Sequence, residues 1–399
     1  MMTLSFLILP LLSSVATAAP VAADLSVHAK VVYTATGERV ENARVSISDG
    51  KIVAITPGVD ARDGETSVLA ITPGMIDLSA HATMGSRSVE ETTEIRPGFR
   101  VANTLDVFSK SWERHLYSGV TTVMVHPYDN NCIGGLSVVL KTGGAENIAA
   151  RTIKADAALR GALGDQPSQR NHPAFGRPTD FYSRRPTTRM GVEWEWRKAM
   201  YDALYAEGQI DSDTAILRRA LSGELTIFAQ AWATQDIRTI CYLKEEMARE
   251  GHPNMRIIVD AAAEAWREPG LLVRTKTGVI LPPYEHEGRT EDNAFFALSS
   301  AKQLVDLGVA VALSSHTAAG PGATLGSQAG FAQRGGLSFA EALAAVTTTP
   351  ARMAGVENRV GTIEAGKDAD LALWNGTPFE LTSRVVGVVL DGKMVLDPR

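Results

Sequence analysis

The chain has 399 residues, 45% of them hydrophobic, and 39 Lys and Arg against 45 Asp and Glu give a net charge of −6. That length and apolar content suit one large buried core with a smaller domain beside it. The basic residues are scattered, so the sequence lacks the patch that nucleic-acid binding requires.

Residues 1–18, MMTLSFLILPLLSSVATA, carry no charged side chain, and Ala16-Thr17-Ala18 forms an A-x-A cleavage pattern ahead of Ala19. The segment reads as a secretory signal peptide, with an apolar run too short to span a bilayer. It predicts an exported protein, periplasmic or extracellular, with no membrane contact once the signal is removed. No later stretch is apolar for long enough to make a membrane helix. Export would permit a disulfide between Cys132 and Cys241; two separate thiols are the simpler expectation, and neither lies in a C-x-x-C pattern.

The segment that follows alternates between apolar and polar residues. ARVSISDGKIVAI places Asp49-Gly50 between two such runs, a strong hairpin signal, and VVGVVLDGKMVL repeats it at Asp391-Gly392. Both ends of the described pattern are therefore β. The economical arrangement is one small β domain built from both, over 19–72 plus 356–399, with a larger domain, 73–355, inserted between them.

The inserted part opens on TPGMIDLSAH, Thr72 to His81, a strand that runs into a polar turn and stops at a histidine. Near-continuous apolar runs follow at 119–127, 224–230, 255–261, 278–283 and 308–315, as expected of parallel strands buried on both faces. Helical segments separate several of them, at 236–250, 295–307 and 338–347, the last with Ser338 and Glu341 as a capping box. Repeated strand–helix units predict an α/β protein with a (β/α)8 TIM-type barrel; a doubly wound open sheet is the alternative. Between 145 and 224 the pattern loosens. RNHPAFGRPTDFYSRRPTTR reads as a long loop, either a lid over the barrel mouth or a surface excursion, followed by a helix with Val192, Trp196 and Met200 on one face.

Taken in order, these segments resemble the amidohydrolase superfamily, in particular its imidazolonepropionase-like branch. ENARVSISDGKIVAI is similar to the family's N-terminal β-sandwich hairpin, TPGMIDLSAH to its P-G-x-I-D-x-H-x-H segment, and TTTPARMAGVENRVGTIEAGKDADLALWNG to its return from barrel to sandwich. The resemblance implies a β-sandwich built from both chain ends. It also implies a metal centre at the C-terminal mouth of the barrel, where one or two divalent ions activate water beside an aspartate.

Carried across residue by residue, the pattern is mostly vacated. Ser79 stands at the first histidine place, and His81 keeps the second. Lys141 falls where some branches have a bridging lysine, although a solvated strand-end lysine is the plainer reading. Gln230 and Trp232 stand at later histidine places. Asp260 keeps a carboxylate, but Ala261 replaces the histidine beside it. The aspartate place falls on Ser315 or His316. The resemblance thus implies a metal-free pseudoenzyme, with Ser79, His81, Lys141, Gln230, Asp260, Ala261, Ser315 and His316 lining a vestigial pocket and no cofactor expected. Its partners would be a small-molecule ligand, an active relative or a second copy of itself. The alternative is an active hydrolase of carbon–nitrogen bonds, of non-peptide amides, lactams or dipeptides, that has rebuilt a sparse zinc or other divalent site from His81, His126, Asp260 and His316 with Lys141. A serine nucleophile has no G-x-S-x-G elbow to support it.

Overall fold

The computed structural model describes residues 23–80, 90, 92–168, 185–284, 288–316 and 324–398. The signal-peptide expectation, His81, and most of the loop expected before the helix at 189 fall outside these residues.

Both Asp-Gly pairs form the turns that their sequence predicts. Asp49 and Gly50 have φ of 49° and 74°, and Asp391 and Gly392 have 47° and 76°, the left-handed values that a two-residue hairpin loop needs. The first turn joins β2 (Arg39–Ser48) to β3 (Lys51–Thr56). With β1 (Leu25–Tyr33) and β4 (Thr66–Pro73) these strands form half of a seven-stranded sheet. The other half comes from β15 (Leu371–Trp374), β16 (Val385–Leu390) and β17 (Lys393–Leu396), and β15 pairs antiparallel with β4. The strands of the two chain ends are therefore hydrogen-bonded into one sheet, in the order β17-β16-β15-β4-β1-β2-β3, rather than into two separate ladders. Val27, Val45, Ile47, Ile71, Leu371 and Val389 give it a core of its own.

Gly74 carries the chain from this sheet into the barrel. Its N–H donates to the Asp370 carbonyl, and a Cβ here would lie 2.1 Å from Thr121 Oγ1, so no larger residue fits without displacement. The strand after it, β5 (Met75–Ala80), is buried along its whole length.

The second sheet has eight strands in the order β14-β11-β10-β9-β8-β7-β6-β5. They are β5, β6 (Val120–Val125), β7 (Ile133–Lys141), β8 (Thr152–Ala162), β9 (Ile227–Gln230), β10 (Ile257–Asp260), β11 (Gly278–Leu281) and β14 (Val311–Leu313); the short pair β12 (Gly288–Arg289) and β13 (Phe295–Phe296) stands apart. All neighbours pair in parallel except β7, which is antiparallel to both β6 and β8. The result is a mixed α/β fold with a nearly closed, barrel-like sheet. Among the described residues no backbone ladder joins β14 to β5. The seam is bridged by Asp77, whose carboxylate accepts from Ser314 Oγ at 2.8 Å, Ser315 N at 2.9 Å and Ser315 Oγ at 2.6 Å.

Two local expectations need correction. The loosened stretch contains the eleven-residue β8, hidden by its alternation of charged and small residues at Lys154, Asp156 and Arg160. The helix expected over 295–307 is only Ser300–Asp306, because Phe295 and Phe296 pair with Gly288 and Arg289 instead. The other helices stand. Arg189–Tyr205 buries Val192, Trp196 and Met200, and Phe339–Val346 has the capping box, with Ser338 Oγ accepting from Glu341 N and the Glu341 carboxylate from Ser338 N.

Candidate functional site

Alternation along the strands divides the barrel into two layers. Leu78, Met124, Val139, Ala158, Phe228, Ile280 and Ala312 form one cluster with Ala351 and Ala354, while Leu159, Ala229, Val259 and Val279 belong to the core shared with the helices. Two residues beyond Ala158, Phe228 and Ile258 on the same faces come Arg160, Gln230 and Asp260, at the C-terminal ends of β8, β9 and β10. This end of a barrel is where sites are built.

Arg160 dominates the arrangement. Its side chain has no solvent exposure. Nε and Nη2 donate to the two oxygens of Asp129 at 2.7 and 2.8 Å, and Nη1 donates to Asp260 Oδ2 at 2.7 Å. Burial opposes its charge, but the carboxylates of Asp129 and Asp260 outweigh that and raise its pKa further. Ser79 Oγ donates to the same Asp260 Oδ2 at 2.8 Å. Asp260 Oδ1 accepts from Ala261 N at 2.8 Å, and Ala261 holds a φ of 55°. Ser79, Arg160, Asp260 and Asp129 thus form one buried polar network with two carboxylates around one guanidinium.

His126 is committed beside it. Nε2 lies 2.5 Å from the Leu78 carbonyl, which can only accept, so Nε2 carries the proton; Nδ1 lies 2.7 Å from Ser137 Oγ and accepts from it. Gln230 is aligned between Ala162 and Asp260 in the strand register. Its Oε1 and the indole Nε1 of Trp232 are buried and have no hydrogen-bond partner. Ser315 binds Asp77 at the barrel seam. His316, with φ of 44°, donates its backbone N–H to Ser314 Oγ at 2.8 Å and meets the edge of Trp232 at 5.5 Å between ring centres.

Of the eight residues expected to share a pocket, the structure brings Ser79, Asp260 and Ala261 into contact, with Gln230 beside them on β9. Ser315 and His316 follow β14. His81 lies outside the described residues. Lys141 is elsewhere. It ends the antiparallel β7 and pairs with Thr122 near the start of β6, so it sits at the opposite end of the barrel from His126. Nor is it solvated: it is 2% exposed, packed against Asp370 and within 3.0 and 3.1 Å of Asp368 and Asp391. Burial works against its charge, and the three aspartates outweigh that and raise its pKa.

Arg160, Asp129 and Asp77 were missed as site residues. A lone arginine inside the small and apolar run Ala157–Leu163 was the available signal, since a charge buried in a strand needs a partner.

Comparison with known proteins agrees with this geometry. Residues 288–396 match the family model described as the amidohydrolase family. The chain is 25% identical over 403 residues to Amidohydrolase tasK of Hapsidospora irregularis, which takes in 90% of this chain but 39% of that protein. It is 52% identical over 50 residues to imidazolonepropionase of Rhizobium meliloti, 12% of either chain. An amidohydrolase structure from Thermotoga maritima superposes with a TM-score of 0.82 at 24% identity, covering 94% of this chain and 100% of that one. A zinc-bound adenosine deaminase from Xanthomonas campestris superposes with a TM-score of 0.54 at 16% identity, covering 94% of each. The ordered motifs, the barrel with its composite sheet and these matches together support the amidohydrolase superfamily.

The metal that the resemblance implies does not fit the described residues at the strand ends. The carboxylate retained at its place, Asp260, is already bound by a guanidinium, a serine hydroxyl and a backbone N–H. A divalent ion there would lie beside a buried cation that cannot deprotonate. Ala261 offers no ligand atom, and both nitrogens of His126 are engaged. Among the described residues, no three His, Cys, Asp or Glu side chains converge as metal ligands would.

Proposed function

We propose that this protein is a metal-free, non-hydrolytic member of its superfamily that binds a small polar ligand at the barrel mouth. One observation carries the reading: the Arg160 guanidinium, held 2.7 Å from Asp260, supplies at the strand ends the positive charge that a metal supplies in a hydrolase. A fixed guanidinium can neutralise carboxylates and orient an anion, but it cannot carry an ionised water as a metal does. The unpartnered Gln230 Oε1 and Trp232 Nε1 support the ligand, because one needs a donor and the other an acceptor.

The test is elemental analysis of the purified protein after incubation with zinc, manganese and iron and removal of excess. Less than about 0.1 metal per chain is expected, since each lost ligand weakens a site steeply. Amides, lactams and dipeptides should then show no turnover. Near-stoichiometric metal, with turnover abolished by His81→Ala, would overturn the proposal in favour of an active carbon–nitrogen hydrolase with a sparse site. Association with an active relative, or with a second copy, would appear in the same preparation by sedimentation.

A further inference from the structure

A cavity of about 660 Å³ lies between the helix Leu325–Arg334, the end of β15 and the segment leading to β16. That is the size of a small-molecule site. Its walls are aromatic: Phe331, Trp374 and Phe379 line it, with the last two ring centres 5.5 Å apart edge to face.

The polar groups around these walls are chiefly donors. Arg334 and Arg384 line the cavity, and both are exposed. Ser383 Oγ and Gln333 Nε2, also in the lining, are buried with no hydrogen-bond partner. Glu380 is the single carboxylate there, so the lining carries two positive charges against one negative. Two guanidiniums, an amide N–H and a hydroxyl all favour an anionic acceptor, while the rings favour an apolar body.

We propose that this cavity is a second ligand site, which takes a small carboxylate with an aromatic or branched apolar body. The head group lies against Arg334, Arg384, Ser383 and Gln333, and the body against Trp374 and Phe379. A second copy of the chain could instead cover the walls with Leu381, which stands fully exposed at the rim. A leucine side chain, however, brings neither an acceptor nor a negative charge to the two guanidiniums, and the proposal therefore commits to the carboxylate.

The experiment is calorimetric titration of the whole protein with 3-phenylpropionate and indole-3-acetate, with 3-phenylpropionamide as the neutral control. One-to-one saturable binding of at least one carboxylate is expected, with a loss of roughly tenfold or more in the R334Q/R384Q double variant and for the amide. Both arginines are exposed, so the variant should keep the parent thermal melt; a melt shifted with binding intact would count against the assignment. Binding must also survive Gln230→Leu, which separates this site from the barrel mouth. The proposal is overturned by no saturable binding of either carboxylate at millimolar concentration, by equal affinity of the double variant or the amide, or by binding that disappears with Gln230.

Discussion

Arg160 on β8 and Asp260 on β10 meet 2.7 Å apart across the intervening β9, and neither side chain has any exposure. A buried pair of this kind is strongly destabilising to break on one side only, because the remaining charge has neither water nor partner. Arg160→Met leaves two buried carboxylates and should cost about 3–5 kcal/mol in urea unfolding. Adding Asp129→Asn and Asp260→Asn to that variant should recover most of the loss. A triple variant no more stable than the single one would show that the network is not the source of the cost.

Lys141 makes a second such network, at the other end of the barrel. Three cations, Lys51, Lys141 and Arg359, share Asp368, Asp370 and Asp391, and join β7 to the composite sheet. Lys141→Met should lose roughly 3–5 kcal/mol, with Asp370→Asn recovering part. Against burial, the cations hold Asp368 down to about 2 from 3.8. Its share of the stability is therefore present above pH 3.8 and is lost as pH falls through about 2. Acid unfolding of Asp368→Asn should lack that component.

Asp236 has the opposite sign. Burial raises its carboxyl to about 7, Arg189 opposes the rise, and Asp292, Asp165 and Glu264 add to it. The folded state then holds a proton that the unfolded chain has released, so stability is full below pH 3.8 and falls as pH rises through about 7. Asp236→Asn should flatten the fall in thermal midpoint across that window. An unchanged slope would count against Asp236 as its origin.

Gly74→Ala tests the hinge between the two sheets. The added methyl would meet Thr121 at 2.1 Å from Oγ1 and 2.5 Å from Cγ2. Overpacking of this kind costs about 1–3 kcal/mol. Thr121→Ala removes the two nearest atoms and should return part of it in the double variant. Equal unfolding midpoints for parent and Gly74→Ala would show that the contact relaxes freely.

Much of this architecture was legible because its signals are local. Asp-Gly turns, continuous apolar strands and the Ser338–Glu341 box each need only a few residues to declare themselves. Strand β8 and the reversal of β7 were not legible, since strand direction follows from pairing with distant partners, and Lys154, Asp156 and Arg160 break the apolar pattern of β8. The substitutions at Ser79, Gln230, Ala261 and at Ser315 or His316 are implied by the resemblance of the ordered motifs. The buried network of Arg160, Asp129 and Asp260 was not legible, because these residues are joined only by the closing of the sheet. Lys141 misled for the same reason: motif order placed it near the site, while an antiparallel strand carried it to the far end.

The two Asp-Gly turns touch. A Cβ on Gly392 would lie 2.6 Å from the Gly50 Cα, and Ala369 binds both turns, donating to the Gly50 carbonyl and accepting from Gly392 N. The Asp49-Gly50 turn leaves the ribosome long before the Asp391-Gly392 turn, with the whole barrel between them. The strands β1–β4 must therefore wait, with the β15 side of β4 unpaired, while the whole barrel is synthesised. Chain closure at such separation is slow and leaves an open strand edge exposed meanwhile. Synthesis order thus makes the C-terminal hairpin the step that completes the sheet, and a chain halted before residue 371 would present the unpaired edge of β4 to its neighbours.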